Sequence, residues 1–140
     1  AMTYFEETES SIYSGIERGE NSANSEDKLL NIAHQKYQKQ DYQQTIKNLN
    51  QIPSNSPLYP ESTLLIGLCH LHLQQNLQAI QSFQTVAKHP NTLSQEEGEW
   101  LLALAYLQNG GLEKAKKQLK DIQTAKGGFS KQAASLLKEL

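Results

Sequence analysis

The chain has a single cysteine, Cys69, among its 140 residues. That excludes an internal disulfide and any cysteine-rich zinc site. It leaves the compartment open, because a cysteine-poor protein suits either redox environment. No stretch approaches the roughly 18 apolar residues a membrane span needs. No charged start runs into an apolar segment, so the given residues carry no signal-peptide pattern. Ala1-Met2 reads as a vector scar ahead of a chosen start, and a targeting or anchor segment upstream is an open expectation. A strongly basic arm is also lacking, which argues against nucleic acid as a partner.

What is present fits one domain. Hydrophobic residues make up 37% of the chain, enough for a modest continuous core and too little for a large one. Charge is unevenly placed. Residues 1–27 hold Glu6, Glu7, Glu9, Glu17, Glu20, Glu26 and Asp27 against Arg18, a local net of −6. The remainder has twelve lysines against eight acids, a net of +4, and the whole chain carries −2.

Small residues inside apolar runs recur in register. Ala33, Gly67 and Ala103 are spaced by 34 and 36, and so are Thr45, Ala79 and Ala115. The two anchors of each unit are always 12 apart. Four residues after the second comes Leu49, Phe83 or Leu119, and three further on comes Ile52, Val86 or Ile122. Four positions in phase through three units define an internal repeat. Small residues belong where two helices cross closely, since a large side chain would force the axes apart. Ala79, Phe83 and Val86 form one helical stripe. Each unit is therefore a pair of helices that completes its core by stacking on its neighbours.

The punctuation agrees with that division. Ser25 before Glu26 and Asp27 predicts an N-cap with acids suited to the helix dipole. Ser56-Pro57 predicts the cap and first turn of the second unit. Ser94 with Glu97 predicts a capping box, with Glu96, Glu97 and Glu99 as an acidic first turn of the third. Pro53 and Pro90 stop the second helices of the first two units. Gly110-Gly111 and Gly127-Gly128 fall where helix ends need a left-handed residue. Helices are expected near 26–39, 42–52, 57–73, 76–88, 95–109, 112–124 and 130–139. The repeats run about 26–55, 57–91 and 94–126, with a C-terminal capping helix at 130–139. The fold class is all-α, three helix-turn-helix repeats plus that capping helix, preceded by an acidic leader at residues 1–24.

Ile66-Gly67, Ala79 and Phe83 of the second unit resemble the tetratricopeptide repeat family, as do Leu102-Ala103, Tyr106, Ala115 and Leu119 of the third. The first unit diverges most, with Ile32-Ala33, Thr45 and Leu49, although Gln40-Asp41-Tyr42 is similar to the family's Gly-Asp-Tyr turn. The resemblance implies a right-handed α-α superhelix whose first helices line a concave face. It is specific for fold and nearly silent on function. Ile16-Glu17-Arg18-Gly19-Glu20 and the terminal helix Ala133–Leu140 resemble small repeat proteins of Bacteroidetes-type bacteria. Those commonly follow a membrane anchor, which implies a domain on the periplasmic side of the cell envelope, with the cytoplasm as the alternative.

On that reading the concave stripe is Leu30, His34 and Tyr37, then Leu64, Leu68, Leu71 and His72, then Trp100, Leu104, Leu107 and Gln108. So apolar a face, if open to solvent, marks an interaction site. The alternative is that additional helices or neighbouring chains bury it. Chaperone-binding members of the family hold a C-terminal carboxylate with basic groups in this groove. The corresponding positions here are Asp27, Glu61 and Glu97, with His34, Leu68 and Leu104 deeper in, so no carboxylate clamp is expected. The polar leader suggests disorder, yet Tyr4, Phe5, Ile12, Tyr13 and Ile16 are spaced apolar handles. It either links, solvated, to a removed anchor, or docks in a groove of its own or a neighbouring chain. Lys116, Lys117 and Lys120, with Lys114, Lys126 and Lys131, form a basic face, read as a solvated helix surface or as a docking surface for an acidic segment.

Reactive chemistry has little foothold. His70 and His72 are two apart on a helix and point to different faces, whereas a helical zinc pair needs a spacing of three or four. His70 takes the family's Tyr position and is expected to pack, and no metal role is expected for His34, His70, His72 or His89. Cys69 beside His70 lacks a third orienting group and is expected to pack as a small hydrophobe. The expectation is a non-enzymatic module without metal or cofactor, binding a protein or peptide in the groove. Homo-oligomer or envelope-complex assembly and an accessory sensing role in a larger protein are the alternatives.

Overall fold

A computed structural model of the chain describes Thr8, residues 25–90 and residues 92–140. Among the described residues every regular element is helical. From Ser25 onward the helices are α1 (Ser25–Gln38), α2 (Tyr42–Leu49), α3 (Tyr59–His72), α4 (Asn76–Ala87), α5 (Thr92–Gln108), α6 (Leu112–Ala125) and α7 (Ser130–Glu139). Each packs on the next in chain order, and α3 also touches α5. The result is three helical hairpins in succession and a seventh helix against the last.

The three turns inside the hairpins are built alike. Gln40, Gln74 and Gly110, spaced by the same 34 and 36, each take a left-handed backbone with φ of 63°, 59° and 78°. The next residue's N–H reaches back to the first helix: Asp41 to Lys36 O, Gln75 to His70 O, and Gly111 to Tyr106 O, at 2.9, 2.8 and 2.7 Å. These bonds satisfy carbonyls that the helix end would leave unpaired. Asp41 then caps α2, its Oδ1 accepting the Gln44 N–H at 3.3 Å.

The small anchors sit where the two helices of a pair cross. Thr45 Oγ1 donates to Asp41 O at 2.8 Å and lies 3.4 Å from Ala33 O, so the first hairpin's two anchors face each other. A Cβ on Gly67 would come within 2.4 Å of Phe83 Cε1. The hairpins thus exchange volume: the one with Phe83 has a glycine opposite, while those with Leu49 and Leu119 have Ala33 and Ala103. All twelve repeat positions are buried.

Several local expectations are corrected. Helix α5 begins at Thr92, so Ser94 lies inside it and is buried; it cannot form a capping box with Glu97. Glu96, Glu97 and Glu99 consequently fall beyond the first turn. Helix α3 begins at Tyr59 with Pro60 in its first turn. Ser56 instead fixes the approach loop: its Oγ accepts the Leu58 N–H at 3.1 Å and donates to Glu26 Oε1. At the end of α6 the left-handed residue is Lys126 (φ 54°), and neither Gly127 nor Gly128 is needed for that role.

Two stability measurements follow. Gly67→Ala should cost about 1–3 kcal/mol by overpacking against Phe83. Combining it with Phe83→Leu should cost less than the two single changes added, because the residues touch. In chemical denaturation, additive costs would deny the contact. Gln74→Gly should stabilise, and Gly110→Ala destabilise, by about 0.5–1 kcal/mol each, since a side chain strains a left-handed turn.

Candidate functional site

The first helix of each hairpin carries the apolar stripe of interest. It is not open to solvent as an exposed patch. Leu30, His34 and Tyr37 of α1 are buried, as are Leu64, Leu68 and Leu71 of α3 and Trp100 and Leu104 of α5. On α5 the six consecutive residues Trp100, Leu101, Leu102, Ala103, Leu104 and Ala105 are all at most 6% exposed. Successive helical residues turn by about 100°, so such a run removes every side of the helix from water. Helix α3 is buried nearly all round in the same way. Only the C-terminal ends of the stripe remain accessible: Leu107 is half-buried, and His72 and Gln108 are exposed.

A residue far away in sequence takes part in that burial. Thr8 is helical and only 5% exposed, and the Trp100 indole Nε1–H donates to its Oγ1 at 2.6 Å. The rest of the acidic leader, with Tyr4, Phe5, Ile12, Tyr13 and Ile16, lies outside the described residues. On its other side the Trp100 ring stacks on Phe129, with centroids 5.6 Å apart and planes at 9°. Trp100 is therefore held by a ring from the α6–α7 link and by a hydroxyl from the N-terminal region.

At the other end of the stripe three rings gather. His72 stacks on Tyr42 at 4.4 Å with nearly parallel planes, and Tyr37 meets both edge-on at 5.5 and 5.9 Å. Tyr37 Oη lies 3.3 Å from His72 Nε2. The structure thus joins Tyr37 and His72, and adds Tyr42, which the sequence placed only in a turn. His70 is half-buried, its Nδ1 2.7 Å from Gln75 Oε1, so it braces the α3–α4 turn. Cys69 is buried among the helices. Among the described residues no His, Cys, Asp and Glu side chains are grouped to hold a metal, and no helix is long and apolar enough to cross a membrane.

The electrostatics of the stripe's N-terminal rim are acidic. Burial pushes the Glu97 carboxyl up from 4.5 to about 7, and the nearby Glu61 charge adds to this. Glu99 is likewise raised, first by burial and then by Glu96 and Asp121. Another carboxylate brought to this rim meets like charge. Glu96 also accepts the Gly128 N–H at 3.2 Å, beside a hollow of about 170 Å³ floored by Ile122 and Phe129. A larger cleft of about 420 Å³ opens between α2, α3 and α4, lined by Leu49, Tyr59, Ile66 and Gln78 among others. It has no counterpart in the sequence analysis, because its walls are contributed by residues of three helices with no shared motif. Lys116, Lys117 and Lys120 lie along α6, the latter two exposed and Lys116 half-buried. Lys114 Nζ sits 5.9 Å from the centre of the Tyr106 ring.

Glu97 makes stability depend on pH. Its folded value lies above its unfolded one, so the folded state holds the extra proton. The associated stability is full below about 4.5 and is lost as pH rises through about 7. Glu97→Gln should match the parent near pH 4.5 and melt at a higher temperature above pH 7. Parallel melting curves for the two proteins across this range would contradict the assignment.

No protein-family model, no curated protein and no solved structure matches this chain, and its function is read from the geometry above.

Proposed function

We propose that residues 25–140 are a right-handed α-α superhelix of the tetratricopeptide type, acting as a non-enzymatic scaffold that receives a peptide or amphipathic helix along α1, α3 and α5. The likeness of the three hairpins supports the superhelix: turn, crossing and stripe recur at one spacing. The observation that carries the receptor reading is the apolar stripe itself. Leu64, Leu68, Trp100 and Leu104 are residues a solvated helix would not place on a free face, and all four are buried. A face of this composition needs a covering helix, and groove-and-helix recognition uses such i, i+3, i+4 anchors. The acidic rim at Glu61 and Glu97 argues against a ligand ending in a free carboxylate and in favour of one that presents apolar or basic groups there.

The basic face of α6 offers the competing site. Selection of helical peptides on the full chain, followed by amide and indole chemical-shift mapping, distinguishes them. The expected shifts centre on Trp100, Leu104, Leu107 and His72. Shifts confined to Lys116, Lys117 and Lys120, with the Trp100 indole unmoved, would reject the groove.

A further inference from the structure

We propose that this chain supplies the occupant of its own groove: the N-terminal segment about Thr8 lies against α5 in cis, latched by the Trp100 indole donating to the Thr8 hydroxyl. The inference rests on the receptor reading above and names what fills the receptor when no partner is present. Its first support is the 2.6 Å bond between side chains 92 positions apart in sequence. Thr8 is buried and helical at that contact, which makes the approach a packed one and not a passing touch of a loop. The second support is the burial of Trp100 through Ala105 on every side. Helices α3, α4 and α6 all pack against α5, and from outside the helices of the hairpins and α7 both Phe129 and Thr8 reach Trp100.

The sequence on either side of Thr8 suits this role. Tyr4 and Phe5 precede it by four and three residues, and Ile12 follows by four. That is the spacing of a single helical stripe with Thr8 at its centre. Glu6, Glu7 and Glu9 fall between those positions and leave the stripe apolar. The fitting competitor is an amphipathic helix with a small hydroxyl residue opposite Trp100.

Trp100 is the only tryptophan in the chain, so indole signals come from this one position. The test uses the full chain, a Thr8→Val variant that keeps side-chain shape but withdraws the acceptor, and a Phe5→Glu/Ile12→Glu variant that spoils the stripe. Thr8→Val should speed hydrogen exchange of the indole N–H by roughly tenfold with unchanged helix content. The double variant should shift Trp100 emission to longer wavelength. It should also bind a synthetic peptide of residues 1–24, added in trans, about tenfold more tightly than the parent does, because a filled groove lowers apparent affinity by the fraction that is open. Unchanged indole exchange and emission in both variants would overturn the proposal. So would a parent that sediments as a dimer and loses indole protection on dilution, since the occupant would then come from a second copy. Protection of the indole in the parent, together with failure of every foreign helix to bind the double variant, would retain the latch and remove the receptor reading.

Discussion

In each hairpin two helices cross at a point where neither can carry a bulky side chain on the facing surface. Ala33 meets Thr45 there, and Gly67 takes the space left beside Phe83. This close approach sets the angle and depth of each pair, and those determine where the first helices place their other faces. If the crossing is widened, Leu49, Phe83 and Leu119 lose their sockets together with the stacking of one hairpin on the next. The turn geometry serves the same end. A left-handed residue at Gln40, Gln74 and Gly110 returns the chain in one consistent direction three times.

With the crossings fixed, the first helices α3 and α5 are buried nearly all round. Trp100 shows how a large residue is held there. Its ring stacks on Phe129, and its one polar atom finds the Thr8 hydroxyl. A buried indole N–H without an acceptor costs about 1–3 kcal/mol, so the position of Thr8 and the burial of the tryptophan are linked energetically. The rim acids act in the opposite direction. Glu97 is driven towards neutrality by its surroundings, which makes the upper part of the stripe unfavourable to anionic groups.

The repeat was legible because it is a periodic signal: twelve positions recur at the same intervals, and all are buried. Helix ends were less so. Ser94 followed by Glu97 has the spacing of a capping box, but α5 starts two residues earlier, and no local pattern distinguishes a capping serine from a buried one. Gly127-Gly128 looked like a left-handed stop, and the structure gives that conformation to the exposed Lys126. Leu30, His34, Leu64, Leu68, Trp100 and Leu104 were expected on a face open to solvent and are buried, because helical periodicity marks a stripe without showing what covers it. Tyr42 joined Tyr37 and His72 only through the fold, and Thr8 lies in a stretch whose polar composition points to disorder.

The claim on which the rest turns is that Thr8 and Trp100 of one molecule are in contact. A nuclear Overhauser measurement between the Thr8 methyl and the Trp100 indole ring, made on uniformly labelled protein and on an equal mixture of labelled and unlabelled chains, tests it directly. The account predicts a cross-peak in the uniform sample and none in the intermolecular-filtered spectrum of the mixture. A missing cross-peak in the uniform sample, or a filtered one in the mixture, would contradict it.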